Sequence, residues 1–271
     1  MKYAFPKGGL PEQTENPKCT AIFKPSHAVI PARCMADIVT SYLPGWEGAR
    51  TWILARPMTG FSETFAQYAV ELEPGGHSEN PEPDEQAQAG IFMAKGQATI
   101  MVEAKQYNLV PGSFIYIPNG VKWSIKNDSS QACGFHWIRK RFQATNDIKS
   151  APLVFTKDTA VAPDFMPDTK DTWSTTRFLD PSNLAYDMHV NIVTFEPGAR
   201  IPFAETHVME HGLYVLQGTA RYLLNEDWVD VGPGDFMWLR AFCPQACIAT
   251  GSEQFRYLLY KDVNRHPSLV L

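Results

Sequence analysis

The chain has 271 residues, 44% of them hydrophobic, and 24 Lys and Arg against 29 Asp and Glu give a formal net charge of −5. That length suits one large or two modest domains, and the mildly acidic balance argues against nucleic acid or an anionic membrane as partner. No apolar run reaches transmembrane length, the start Met1-Lys2-Tyr3-Ala4-Phe5-Pro6 lacks a signal-peptide core, and five cysteines without a CxxC pair predict reduced thiols in a cytoplasmic protein.

Pro and Gly are frequent, at 21 and 18, and helical periodicity is scarce. Short aromatic and β-branched runs end at Gly, Pro, Asn or Asp, the texture of an all-β sandwich or barrel. Residues 1–45 read as an N-terminal extension. A first set of strands follows: Tyr68 to Leu72 before Glu73-Pro74-Gly75, Gly90 to Gly96, and Ser113 to Pro118 after Pro111-Gly112. Between them His77, Glu79, Glu82, Asp84 and Glu85 sit among Pro and Asn and read as a solvated loop. His136, within Cys133 to Ile138, reads as a packed histidine on a strand rather than a ligand.

Residues 143–180 read as a linker, after which the same order returns. Asn191 to Phe195 precedes Glu196-Pro197-Gly198, Gly212 to Gly218 follows, and Val231-Gly232-Pro233-Gly234-Asp235 leads into Phe236. A repeat of about 120 residues means a duplicated domain rather than a solenoid. The expected fold is all-β, two tandem jelly-roll β-barrels over 46–142 and 181–266.

The second copy carries the chemistry. Glu205, His207 and His211 stand at i, i+2 and i+6, so on one strand they share a face. Six residues separate His211 from Gly218, and counting from the Pro233-Gly234-Asp235 turn a further ligand position falls on Gln245. This spacing resembles the two metal motifs of the cupins, with a carboxylate first and Gln where a His is usual. Two imidazoles and two oxygens, without thiolate, suit octahedral Mn(II) or Fe(II) better than tetrahedral zinc. Cys243 and Cys247 flank Gln245 at ±2 and read as small packing residues. The same offsets in the first copy land on Pro83, Glu85, Ala89 and Trp123, which cannot hold a divalent ion. The metal is therefore expected in the second barrel alone.

Asp187 to Ile192, Glu205 to Gly212 and Phe255 to Arg265 closely resemble the (S)-ureidoglycine aminohydrolases, two-barrel cupins of purine breakdown also called glyoxylate-induced proteins. The likeness is strong over 181–266 and looser in the first half, where Leu43-Pro44-Gly45-Trp46 and the Pro-Gly turns match. It implies one Mn(II) per chain on Glu205, His207, His211 and Gln245, with Tyr222, Tyr257 and Lys261 lining the substrate pocket. The implied reaction replaces the amine of (S)-ureidoglycine with hydroxyl, giving (S)-ureidoglycolate and ammonia in allantoin degradation. Lys261 shares a strand face with Tyr257 and is a candidate carboxylate clamp or proton donor, or a lysine reaching to solvent; Glu205 is a candidate base. An Fe(II) dioxygenase or a non-catalytic small-molecule-binding bicupin are the alternatives, which metal content and ammonia release would separate. A barrel without chemistry, with sheet edges to cover, predicts a homo-oligomer.

Overall fold

The structure is a computed structural model that describes residues 20–35, 40–145, 148–263 and 265. Much of the expected N-terminal extension therefore lies outside the described residues. Among those described there are strands and three short 3-10 turns but no α-helix. The N-terminal segment supplies β1 (Ile22–Phe23) and β2 (His27–Ile30). The first barrel is built from β3 (Glu47–Ala55), β4 (Ala66–Ser78), β5 (Ala87–Lys95), β6 (Ala98–Val102), β7 (Lys105–Leu109), β8 (Ser113–Ile117), β9 (Trp123–Lys126) and β10 (Cys133–Arg141). Between the barrels run β11 (Val154–Lys157), β12 (Asp164–Phe165) and β13 (Trp173–Arg177). The second barrel has β14 (Met188–Phe195), β15 (His211–Gln217), β16 (Ala220–Leu224), β17 (Asp227–Val231), β18 (Phe236–Leu239), β19 (Gln245–Ala249) and β20 (Phe255–Asp262).

The extension and the linker do more than connect. β2 pairs antiparallel with β18 of the second barrel, whereas β11 pairs with β8 of the first. Each barrel thus receives an edge strand from the segment that precedes the other barrel. A covered edge no longer offers unpaired backbone groups to another chain. The turn at Asp235 secures the exchange, accepting from Ala32 N at 2.7 Å and from Gly232 N at 2.8 Å.

β20 shows why the central strands are apolar on both sides. Phe255, Tyr257 and Leu259 face the second barrel's interior, while Leu258 and Tyr260 face the first barrel. The barrels meet through this second layer, where Phe65 stacks on Tyr260 at 3.9 Å and Phe114 on Phe178 at 4.5 Å. Gly212 is required there, since a Cβ would stand 2.6 Å from Phe65 Cζ. The first barrel's interior is filled by aromatic rings: Trp46, Tyr68 and Trp123 lie 5.5, 5.5 and 5.7 Å from Trp137.

Two local expectations change and a third holds. Cys34 is disulfide-bonded, against reduced thiols throughout, while Cys133, Cys243 and Cys247 are free and buried. The acidic stretch is not simply a solvated loop: His77 belongs to β4, Arg139 clasps Glu82 bidentately, and Arg141 reaches Asp84 at 3.0 Å. Carboxylates so close to arginines are stabilised by pairing rather than by water. His136 is packed as expected, its ring 4.0 Å from Tyr214, and burial lowers its pKa to about 4.

Candidate active site

The four candidate ligands come together, but not on one strand. His211 opens β15; Glu205 makes an isolated bridge to Gln245, and residues 206–210 form a bent connection. The expectation of a shared strand face for Glu205, His207 and His211 is corrected. Backbone pairing holds the segment instead: Glu205 N donates to Gln245 O at 2.9 Å, Gln245 N to Glu205 O at 2.8 Å, and Phe242 N to His207 O at 2.6 Å. A period-2 count cannot anticipate a chain that leaves the sheet and returns.

Glu205 Oε1 stands 3.3 Å from His207 Nε2 and 3.4 Å from Gln245 Nε2, and the two histidine rings are 5.1 Å apart. His211 Nδ1 is 3.0 Å from Met209 O; donating to that carbonyl leaves Nε2 with its lone pair. Burial, with His207 and Lys261 nearby, lowers the His211 pKa to about 3, so the ring is neutral at any working pH. Among the described residues no three His, Cys, Asp or Glu side chains form a ready cage. The donor set reaches four only by counting the Gln245 amide. Its chemistry, two imidazoles with a carboxylate and an amide, fits a divalent metal of the Mn(II) or Fe(II) kind.

Strand register sets the wall beside these donors. His189, Lys261 and His211 are direct cross-strand partners on β14, β20 and β15 and face the interior in one row. Burial first, then Arg177, lowers the Lys261 pKa, with Glu205 and Asp262 opposing. Tyr222 is fully buried and donates to Gln245 Oε1 at 2.9 Å, and Tyr257 meets its ring edge-on at 6.2 Å. A cavity of about 190 Å³ opens at this end of the barrel, lined by Tyr186, His189, Met209 and Lys261 among others. A larger cleft of about 820 Å³ lies in the seam between the barrels, lined by Trp52, His136 and Tyr214; neither cavity is lined by Glu205, His207, His211 or Gln245, and the smaller one reaches the site through Lys261 and His189.

The first barrel has the same positions with different contents. Ala89 pairs with Arg139 as His211 pairs with Lys261, and Trp123 opens β9 as Gln245 opens β19. Arg139 is closed off by Glu82 and Tyr68, whereas Lys261 has no ion pair among the described residues. His189 and Asn191, buried and facing inward on β14, were not singled out by sequence reasoning, nor was the buried Glu210. Only the alternation of Asp187 to Ile192 hinted at an inward polar pair.

A two-barrel fold with a polar mouth in one barrel and a filled core in the other defines a bicupin, and the Cupin domain family model matches residues 68–139 and 191–260. The chain belongs to the cupin family. It is 29% identical over 229 residues to the (S)-ureidoglycine aminohydrolase of Escherichia coli strain K12, covering 84% of this chain and 86% of that one. The (S)-ureidoglycine aminohydrolase of Arabidopsis thaliana is also 29% identical, over 91% of this chain and 79% of its own length. A crystal structure of a Pseudomonas aeruginosa protein named as glyoxylate-induced is 51% identical, with a TM-score of 0.89 over 100% of this chain and 99% of that one. The resemblance drawn from the sequence is borne out by these relatives.

Proposed function

We propose that the chain is a metal-dependent aminohydrolase that converts (S)-ureidoglycine and water to (S)-ureidoglycolate and ammonia. The relatives' shared activity supports the reaction. The observation that carries it to this site is the contrast between Arg139, closed off by the Glu82 carboxylate, and Lys261, which makes no close ion pair among the described residues and stands beside the donor set with Glu205 acting on it only from farther off. We place one Mn(II) per chain on Glu205, His207, His211 and Gln245, in a domain spanning 181–266 that follows a metal-free barrel over 46–142. The metal would supply Lewis acidity and a fixed orientation for the substrate.

The residues then divide the work. A half-buried ammonium is stabilised by an anion, so Lys261 Nζ clamps the substrate carboxylate. Tyr222 orients the Gln245 amide through its hydroxyl, and Tyr257 beside it bounds the pocket. Glu205 takes a proton from water at a carboxylate oxygen and returns it to the amine nitrogen. The carbon–oxygen bond forms, the carbon–nitrogen bond breaks and ammonia leaves. The protein works as a homo-oligomer in the cytoplasm on this small molecule, with no membrane or nucleic acid as partner; among the described residues no helix is long and apolar enough to cross a membrane. A strictly monomeric species in sedimentation at micromolar concentration would overturn the assembly.

The test is metal analysis of protein purified without added metal, followed by ammonia release from freshly made ureidoglycine. One divalent ion per chain and stoichiometric ammonia are expected, and His207→Ala should lose both while keeping its far-ultraviolet circular dichroism. Two ions per chain, or metal retained by His207→Ala, would sink the assignment.

A further inference from the structure

The inner face of β14 carries three polar atoms that the proposed chemistry leaves unused. His189 Nε2, Asn191 Oδ1 and Asn191 Nδ2 are buried and have no hydrogen-bond partner among the described residues. The two side chains are 5% and 1% exposed, so water outside the barrel does not reach them freely. A buried carboxamide without partners is costly, and such groups in folded proteins call for an explanation.

Their position suggests one. Asn191 pairs directly with Leu259, so its diagonal neighbours on β20 are Tyr257 and Lys261. His189 pairs with Lys261 itself and lines the 190 Å³ cavity. In the first barrel Tyr68 pairs with Trp137 as Asn191 pairs with Leu259, and the Tyr68 hydroxyl accepts from Arg139 Nη1 at 3.1 Å. There a ring fills the space and its polar end is satisfied internally. In the second barrel a short amide stands in the same place with both its donor and its acceptor unspent.

We propose that Asn191, with His189 beside it, recognises the ureido end of the substrate while Lys261 holds the carboxylate. The proposal rests on the aminohydrolase reading and adds to it the element that selects a ureido acid. A ureido group presents N–H donors and a carbonyl acceptor side by side. A carboxamide presents the complementary pair, Oδ1 to accept and Nδ2 to donate. His189 Nε2 offers one further contact toward the cavity. Diagonal neighbours in a sheet stand roughly 7–8 Å apart, a span that a molecule with a carboxylate at one end and a ureido group at the other can bridge. A site built to hydrogen-bond such a group rejects analogues without it, because its own polar atoms would stay unpaired.

The test uses the metal-supplemented full chain and two ligands that differ at one end. N-carbamoylglycine has the terminal NH2, and N-acetylglycine has a methyl group in its place. Calorimetry on the unaltered protein should show at least about tenfold tighter binding of the carbamoyl compound. Asn191→Leu has the same branched outline without polar atoms. It should reduce the preference to under about threefold and raise KM for ammonia release more than it lowers kcat. Its melting temperature without ligand should hold or rise, because two unpaired buried atoms are removed; a purely structural asparagine would show a fall. If the leucine variant does not fold, Asn191→Ala decides on the same preference.

A preference that persists in the asparagine variants overturns the inference while leaving the aminohydrolase reading intact. Absence of ammonia release and of carbamoylglycine binding in the unaltered protein overturns both.

Discussion

The proposed chemistry turns on Lys261. Its pKa is lowered chiefly by burial and secondly by Arg177. A base with a depressed folded-state pKa destabilises the fold while it stays protonated, below that pKa, so removing the charge should help the empty protein. Lys261→Met keeps the bulk of the stem. It should melt no lower than the parent, retain its metal and bind substrate more weakly, with KM raised about 10- to 100-fold by loss of the carboxylate partner. Steady-state kinetics separates this from the other role. A fall in kcat of roughly 10²–10⁴-fold at unchanged KM would make the lysine the proton donor instead. Near-normal kinetics would return it to a solvent-facing lysine.

Among the elements, the connection from β3 to β4 has a structural task that bears on the site. Its backbone is held by Glu210, the residue before His211. Glu63 N donates to Glu210 Oε2 at 2.9 Å, Thr64 N to Oε1 at 2.5 Å, and Trp238 Nε1 to Oε2 at 2.8 Å. One buried carboxylate of the second barrel therefore fixes a loop of the first against β18. Glu210→Ala would leave at least three donors without their acceptor, one of them the buried Trp238 indole. A loss of about 3–5 kcal/mol is expected in denaturant unfolding. A loss under about 1 kcal/mol would show that water replaces the carboxylate readily. The carboxylate was not legible in the sequence because only its partners, drawn from residues far away in the chain, distinguish it from a surface glutamate.

The whole molecule is two barrels that cannot be separated cleanly. β2 belongs by pairing to the second barrel and β11 to the first, and a layer of buried aromatics joins the two sheets. Lys140 and Asp187 add a fully buried ion pair at 2.7 Å, one partner from each barrel. Separating the barrels would expose the aromatic layer to water and break this pair. Calorimetry should therefore show one cooperative transition, with van't Hoff and calorimetric enthalpies in agreement. Two resolved transitions would mean that the exchanged strands and the shared interface contribute little.

The sequence by itself determined the all-β class, the duplicated order of strands and Pro-Gly turns, and the lack of histidine at the first-copy positions that match the proposed ligands. Those features are local: they follow from alternation, from turn chemistry and from residue spacing, so one chain read in order contains them. Tyr257 and Lys261 entered through the family resemblance, and alternation added only that they share a face of one regular strand. Only the tertiary structure decided the rest. The bent path from Glu205 to His211, the exchanged edge strands, the Glu210 clasp and the unpaired Asn191 amide depend on which distant segments meet. Burial and hydrogen-bond satisfaction belong to pairs of segments, and a position acquires them only when the fold has chosen its neighbours.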